Sequence, residues 1–187
     1  MGRVLSPAKK VQWCRSCLVL VVCGLMAANL HAARELSWSD LQPEGYELDP
    51  DALFGGQDYS EISDFSAEGQ RLMDLLQEEL DSAPPVTELD GQKVRLTGFV
   101  LPLVRRGRVT TRFFLVPYYG TCIHSPPPPA NQLVEVRFPE GNPYSSFFAA
   151  VEVTGRLSLQ RYQHRLGTSA YTLEAEQVEE AEFDLRR

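Results

Sequence analysis

Cys122 and His124 are the residues of this chain best suited to chemistry. They stand two apart in Gly120-Thr121-Cys122-Ile123-His124-Ser125, and Pro126, Pro127, Pro128 and Pro129 follow directly, with Ala130, Asn131 and Gln132 closing the segment. On an extended backbone, side chains two residues apart point to one face. A thiolate and an imidazole placed that way could share a metal ion. Zinc suits the pair, and copper(I), which also favours thiolate, is the weaker candidate. A structural zinc site takes four ligands, so two are missing here. His164, within Arg161-Tyr162-Gln163-His164-Arg165, is the third candidate ligand. Glu174 or Glu176, a second protomer or a transporter subunit could complete the shell.

The same residues permit two other readings. Cys122 with His124 could form a nucleophile and base, with Asn131 as an orienting amide. Adjacent side chains on one strand rarely reach the geometry of in-line proton transfer, and a Cys-x-x-Cys redox pair is absent from the sequence beyond the N-terminal segment. The chain is therefore expected not to be an enzyme. The third reading is a structural or docking loop. Four successive prolines hold the backbone extended and remove its donors. Tyr118 and Tyr119 just before the loop, with Pro126 to Pro129, Asn131 and Gln132, would then form a partner-binding surface, because aromatic anchors on preordered backbone lower the cost of binding. In the structural version Asn131 and Gln132 satisfy backbone carbonyls.

The N-terminus decides how unusual Cys122 is. Residues 1–33 read as a secretory signal peptide, with Arg3, Lys9, Lys10 and Arg15 in front, an apolar run from Cys17 to Leu30, and Ala32-Ala33 as the cleavage region. The rival is a lipoprotein anchored through Cys23, although Val22 is a poor residue for a lipobox. Membrane association is expected only if this segment is retained or lipidated. Cleavage removes Cys14, Cys17 and Cys23, so Cys122 would be a lone thiol in an oxidising, periplasmic compartment. The full chain carries 18 basic and 25 acidic residues, and loss of the four basic residues above takes the net charge from −7 to −11. That acidity repels nucleic acid and anionic lipid overall and argues against nucleic acid as a partner. Arg105, Arg106, Arg108 and Arg112 form the one basic cluster. It reads as a solvated hairpin tip or, functionally, as a surface for an acidic partner or lipid head groups.

The elements that must position these residues follow from pattern. Residues 34–85 read as an irregular arm rich in Asp, Glu, Gly, Ser and Pro, followed by one helix. Ser66 is its N-cap, Leu72, Leu75, Leu76 and Leu80 form its core stripe with Phe65 and Met73 nearby, and Pro84-Pro85 ends it. Residues 86–187 read as strands. Lys93–Leu101, Arg112–Val116, Leu133–Phe138, Phe147–Leu159 and Tyr171–Val178 alternate or run apolar, with a bend or bulge expected at Gly155. Five strands at this spacing predict a mainly β chain with an OB-like five-stranded antiparallel barrel. A β-sandwich is the alternative.

Phe114-Leu115-Val116-Pro117, followed by Cys122 through Gln132, resembles the signature of an uncharacterised bacterial family of exported proteins, classed as a domain of unknown function. The family reads Gly-Phe-Val-x-Pro-Leu, then Phe-Leu-Leu-Val-Pro, then Cys-x-His-x-Pro-Pro-Pro-x-Asn-Gln. Gly98-Phe99-Val100-Leu101-Pro102-Leu103 matches the first part, and the resemblance covers roughly residues 86–180. It implies a periplasmic accessory role in metal homeostasis, beside ABC transporters of the MacB type and under zinc limitation. The expectation is a zinc-linked accessory protein of a transporter or, alternatively, an interaction module of an envelope complex that binds no metal.

Overall fold

The structure is a computed structural model and describes residues 32–49, 53–56, 62–119, 127–144 and 146–181. The chain divides into two units, Met1–Ala32 and Ala33–Arg187. The strands of the second unit are β1 (Arg34–Leu36), β2 (Lys93–Arg106), β3 (Val109–Val116), β4 (Val134–Asn142), β5 (Ala150–Ser158), β6 (Tyr162–His164), β7 (Gly167–Ser169) and β8 (Tyr171–Glu180). Its helix α1 spans Ala67–Ser82.

Strands β2, β3, β4, β8 and β5 hydrogen-bond in that order, and β5 returns to β2. The barrel is thus closed and five-stranded, as the strand spacing predicts. Four of its five pairings are antiparallel; β4 and β8 run parallel, with Val134 opposite Tyr171. Each strand turns its alternate residues inward. Val94, Leu96, Val100, Phe113, Leu115, Val134, Val136, Val151, Val153, Leu157 and Leu173 are all buried in one core. Burial of each such side chain is worth about 1.5–3 kcal/mol. Gly155 sits at a register shift between β5 and β8, where a Cβ would collide with the Glu174 carbonyl. Pro102 lies inside β2 beside a second irregularity, the place in a strand where a missing donor is tolerated.

Phe113 to Val116 are buried on both faces. Phe113 and Leu115 enter the barrel, while Phe114 and Val116 join Phe99, Leu101 and Leu133 in a second cluster on its outer surface. The β6–β7 hairpin supplies cover through Tyr162 and Leu166. This hairpin is not foreseen by pattern, which leaves its residues as a loop.

The arm is irregular, as expected, and its described part includes two short regular pieces. β1 pairs parallel to β2, with Leu36 opposite Leu96, and a 3-10 turn follows at Trp38–Leu41. Trp38 Nε1 donates to the Thr97 carbonyl at 2.8 Å. Helix α1 starts as expected, with the Ser66 hydroxyl accepting from the Gly69 amide at 3.0 Å. Its expected stripe is narrower than four leucines. Leu72 and Leu80 are buried, Leu75 and Leu76 only half-buried, and Phe65 and Met73 are exposed. The helix lies on one end of the barrel, against β7 and the 3-10 turn at Ala130–Gln132. Only one side of it therefore meets the core.

Tyr171, fully buried at the start of β8, fastens arm and helix exit to the barrel. Its hydroxyl donates to the Leu41 carbonyl at 2.9 Å and accepts from the Val86 amide at 2.6 Å. Burial pushes this phenol above its ordinary value, with the Val86 bond opposing, so it remains a donor. Tyr171→Phe removes both bonds and leaves a buried N–H and C=O unpaired, at about 1–3 kcal/mol each. Denaturant unfolding of this variant is expected to show a loss of roughly 2–4 kcal/mol; a change within error would mean that water replaces the hydroxyl.

Candidate functional site

The connection from β3 to β4 carries the motif that the sequence singles out. Cys122, His124 and Pro126 lie outside the described residues; the connection is described up to Tyr119 and again from Pro127. Its entrance is aromatic. Tyr118 and Tyr119 are 72% and 65% exposed, and Phe147, from the β4–β5 connection, is 60% exposed. The Tyr119 ring lies 5.4 Å from that of Phe148 and 5.8 Å from that of Phe99, and Phe148 adjoins Phe147 at 6.4 Å. These rings form one aromatic rim. Phe148 holds it at a cost, because its φ is +59°, a conformation that side chains rarely adopt. Such strain costs on the order of 1–3 kcal/mol and persists only where neighbours enforce it. Two bonds to one β2 residue do so here: Phe148 N–H donates to Val100 O at 2.8 Å, and Val100 N–H donates to Ala149 O at 2.9 Å.

The exit of the connection is clamped. Pro127 packs so closely on Gly167 that a Cβ there would stand 3.0 Å from the proline ring. Pro127, Pro128 and Pro129 are half-buried. Asn131 is fully buried, and its Nδ2 donates to the Pro84 carbonyl at 3.0 Å, while its Oδ1 has no partner among the described residues. Gln132 Nε2 donates to the Trp38 carbonyl at 2.9 Å. The two amides of the motif thus tie the helix exit and the arm to the barrel, and Tyr118 and Tyr119 are the motif-flanking residues that face solvent.

His164 is brought near this exit, since it pairs with Gly167 across the β6–β7 hairpin. Its Nδ1 accepts from the Leu166 amide at 3.3 Å, and the ring packs edge-on to Phe114 at 6.1 Å. A neutral histidine whose Nδ1 is an acceptor carries its proton on Nε2, so neither nitrogen presents a lone pair to a metal in this arrangement. Desolvation and, secondarily, Arg165 depress its pKa and keep the ring neutral. Among the described residues, no group of three or more His, Cys, Asp and Glu side chains could hold a metal ion.

A polar centre that pattern reading misses lies on the outer face. Glu135 is fully buried, although strand alternation directs it away from the barrel interior. Its carboxylate accepts from Arg137 Nε at 3.2 Å and Nη2 at 3.0 Å, and from Thr172 Oγ1 at 2.8 Å, and pairs with Arg112 Nε at 3.0 Å. Arg137 also reaches Glu174 at 3.1 Å; its pKa is raised, chiefly by the bond to Glu135. The Arg112 guanidinium lies 5.0 Å from the Tyr162 ring centre. Arg112 therefore joins the barrel charge to the covering hairpin. The two-sided apolar run of β3 is the signal that could have revealed this, since a covered outer face on β3 implies cover for its β4 neighbours.

Barrels of this kind bind oligonucleotides and oligosaccharides on the face that corresponds to β3 and β4. Here that face is filled by the chain itself, through Phe114, Val116, Leu133 and Glu135 beneath the hairpin.

The family profile described as "Protein of unknown function (DUF3299)" matches residues 38–180. The chain belongs to the DUF3299 family. A crystal structure of a DUF3299 family protein from Pseudomonas aeruginosa PAO1 is similar at 31% identity, over 82% of this chain and 99% of that one, with a TM-score of 0.62. An asparaginyl-tRNA synthetase from Pyrococcus horikoshii, complexed with asparaginyl-adenylate, aligns at 22% identity over 50% of this chain and 20% of that one, with a TM-score of 0.30. No curated protein matches. The DUF3299 match covers the arm and helix as well as the barrel, a wider span than the motif alone indicates.

Two outcomes test the outer face. Stability is expected to fall as pH drops below about 6.5, because the unfolded chain then binds a proton that folded His164 resists. His164→Gln should flatten that part of the profile, and an unchanged slope between pH 7.5 and 5.5 would sink the assignment. Glu135→Gln removes the charge that both arginines share. Because Arg112 and Arg137 are partly exposed, the expected loss in urea unfolding is roughly 2–3 kcal/mol, below the range for fully buried pairs.

Proposed function

We propose that this DUF3299 protein is an exported, periplasmic accessory protein that acts by docking a protein partner of the envelope at the aromatic rim of its barrel. The observation that carries this reading is the solvent exposure of Tyr118, Tyr119 and Phe147 around a strained Phe148, beside a proline-rich connection whose exit is clamped. Tyrosine and phenylalanine are enriched at the cores of protein interfaces, where they supply large contact areas. An ABC transporter of the MacB type is the partner class that the motif resemblance implies.

A second reading keeps Cys122 and His124 as zinc ligands, with copper(I) the lesser candidate. It is favoured by the contact of Pro127 with the hairpin that carries His164. For His164 to join, its Nδ1 must release the Leu166 amide, and then either Nδ1 itself binds the metal or the proton moves to Nδ1 and Nε2 does.

A photo-crosslinking residue at position 119, with position 163 on the exposed hairpin edge as control, tests the docking reading in cells. The expected result is a discrete adduct with one envelope protein from position 119, lost on Phe147→Ser. Absence of an adduct, or the same adducts from both positions, overturns it. Zinc analysis of the reduced protein separates the second reading: on the order of one zinc per chain, lost in both Cys122→Ala and His124→Ala, would establish the metal site, and metal content unchanged by both would remove it.

A further inference from the structure

Strand β8 changes neighbours halfway along. From Tyr171 to Glu174 it lies between β4 and β5; from Ala175 to Glu180 it pairs, among the described residues, with β5 alone. The reason lies in β4. Phe138, Pro139, Glu140 and Gly141 stand against the single residue Thr111, between the Arg137–Arg112 and Asn142–Thr110 pairs. Such an excess bends a strand out of its ladder. Pro139 has no amide to give, and Gly141 takes a φ of +93°. β4 therefore leaves β8 just after Glu174, and the second half of β8 becomes an open edge.

The hydrogen-bond parity of that edge follows from its end. Ala181 N–H donates to Ala150 O at 3.0 Å, one step beyond the Val151–Glu180 pair, so Ala150 and Ala181 form a bonded pair. Bonded and non-bonded pairs alternate in an antiparallel ladder. Gln177 and Glu179 therefore turn their N–H and C=O groups toward β5, while Val178 and Glu180 turn theirs to the open side. Val178 packs half-buried against the barrel core, which holds this backbone in place.

The side chains of the edge are acidic. Glu174, Glu176, Gln177, Glu179 and Glu180 are exposed. Glu174 and Glu176 are already engaged, by Arg137 and Lys93. Glu179 and Glu180 have no ion-pair partner among the described residues. Glu179 moreover stands directly opposite Glu152 on β5, a like-charge placement that weakens a ladder. Arg95 reaches Glu152 at 3.5 Å from β2 and leaves Glu179 uncompensated.

We infer that the second half of β8 receives an extended, lysine- or arginine-bearing segment of a partner polypeptide as an added strand. Main-chain bonds to the open N–H and C=O groups of Val178 and Glu180 hold such a segment, and a cation beside Glu179 offsets its repulsion from Glu152. Exposed charge commonly guards a sheet edge against self-association. That accounts for the exclusion of a second copy, which would bring its own glutamates to the same edge. It does not account for Glu179 opposite Glu152, which weakens the free protein and gains a counterpart only when a cation arrives. The net charge of the chain, −7, acts in the same direction by attracting a basic segment. This inference does not rest on the docking reading of the aromatic rim.

A short peptide alternating lysine and threonine serves as the probe for the full-length protein, with residue-resolved amide hydrogen exchange as the readout. In the free protein the Val178 and Glu180 amides are expected to exchange faster than those of Gln177 and Glu179. The peptide should slow the first pair, bind less tightly as salt is added, and bind about 5-fold more weakly to the protein carrying both Glu179→Gln and Glu180→Gln. No binding at low salt overturns the inference. Binding that leaves the Val178 and Glu180 amides unprotected overturns it in favour of diffuse charge attraction. Binding unchanged by the two substitutions, or equalled by a peptide alternating glutamate and threonine, overturns it as well. Protection of the same amides that rises with protein concentration alone overturns it by assigning the edge to a second copy.

Discussion

The buried hydroxyl of Tyr171 is the point on which the arm, the helix and the barrel converge. Its two backbone partners, Leu41 and Val86, lie 130 and 85 residues away in sequence. Neither is otherwise drawn to the end of the barrel by strand pairing. The amides of Asn131 and Gln132 repeat the device on Pro84 and Trp38. Irregular segments satisfy only some of their own backbone groups, so side chains from the regular part take up others. Here the regular part supplies a phenol and two carboxamides, and the arm becomes part of the fold.

Glu135 plays the corresponding role on the outer face. A carboxylate with no exposure is costly unless its lone pairs are taken, and Arg112, Arg137 and Thr172 take them. Arg112 in turn lies against Tyr162, so the charge network and the hairpin hold each other in place. With this face filled, large aromatic side chains remain in solvent at the rim.

Phe148 connects the rim to the core. A glycine would adopt its φ without strain, yet the position carries a ring that packs between Tyr119 and Phe147. Strain borne by a side chain that supports exposed rings is consistent with a surface kept for contact. The β3–β4 connection, which carries Tyr118 and Tyr119, is packed at its exit by Pro127 against Gly167.

Much of this protein was legible in its sequence. Strand alternation and the Gly155 position determined the five-stranded barrel, and Ser66 with Pro84-Pro85 determined the span of the helix, because these signals act over a few residues. Residue type and spacing also mark Cys122 and His124, which lie outside the described residues. Other features were decided only by tertiary structure. Whether Glu135 faces water or two arginines depends on a hairpin some thirty residues downstream. Whether Asn131 and Gln132 face a partner or the chain's own carbonyls depends on where Trp38 and Pro84 come to rest. Local sequence determines which way a side chain points from its strand or helix; what covers it is a long-range outcome, decided by packing between segments that no short window contains.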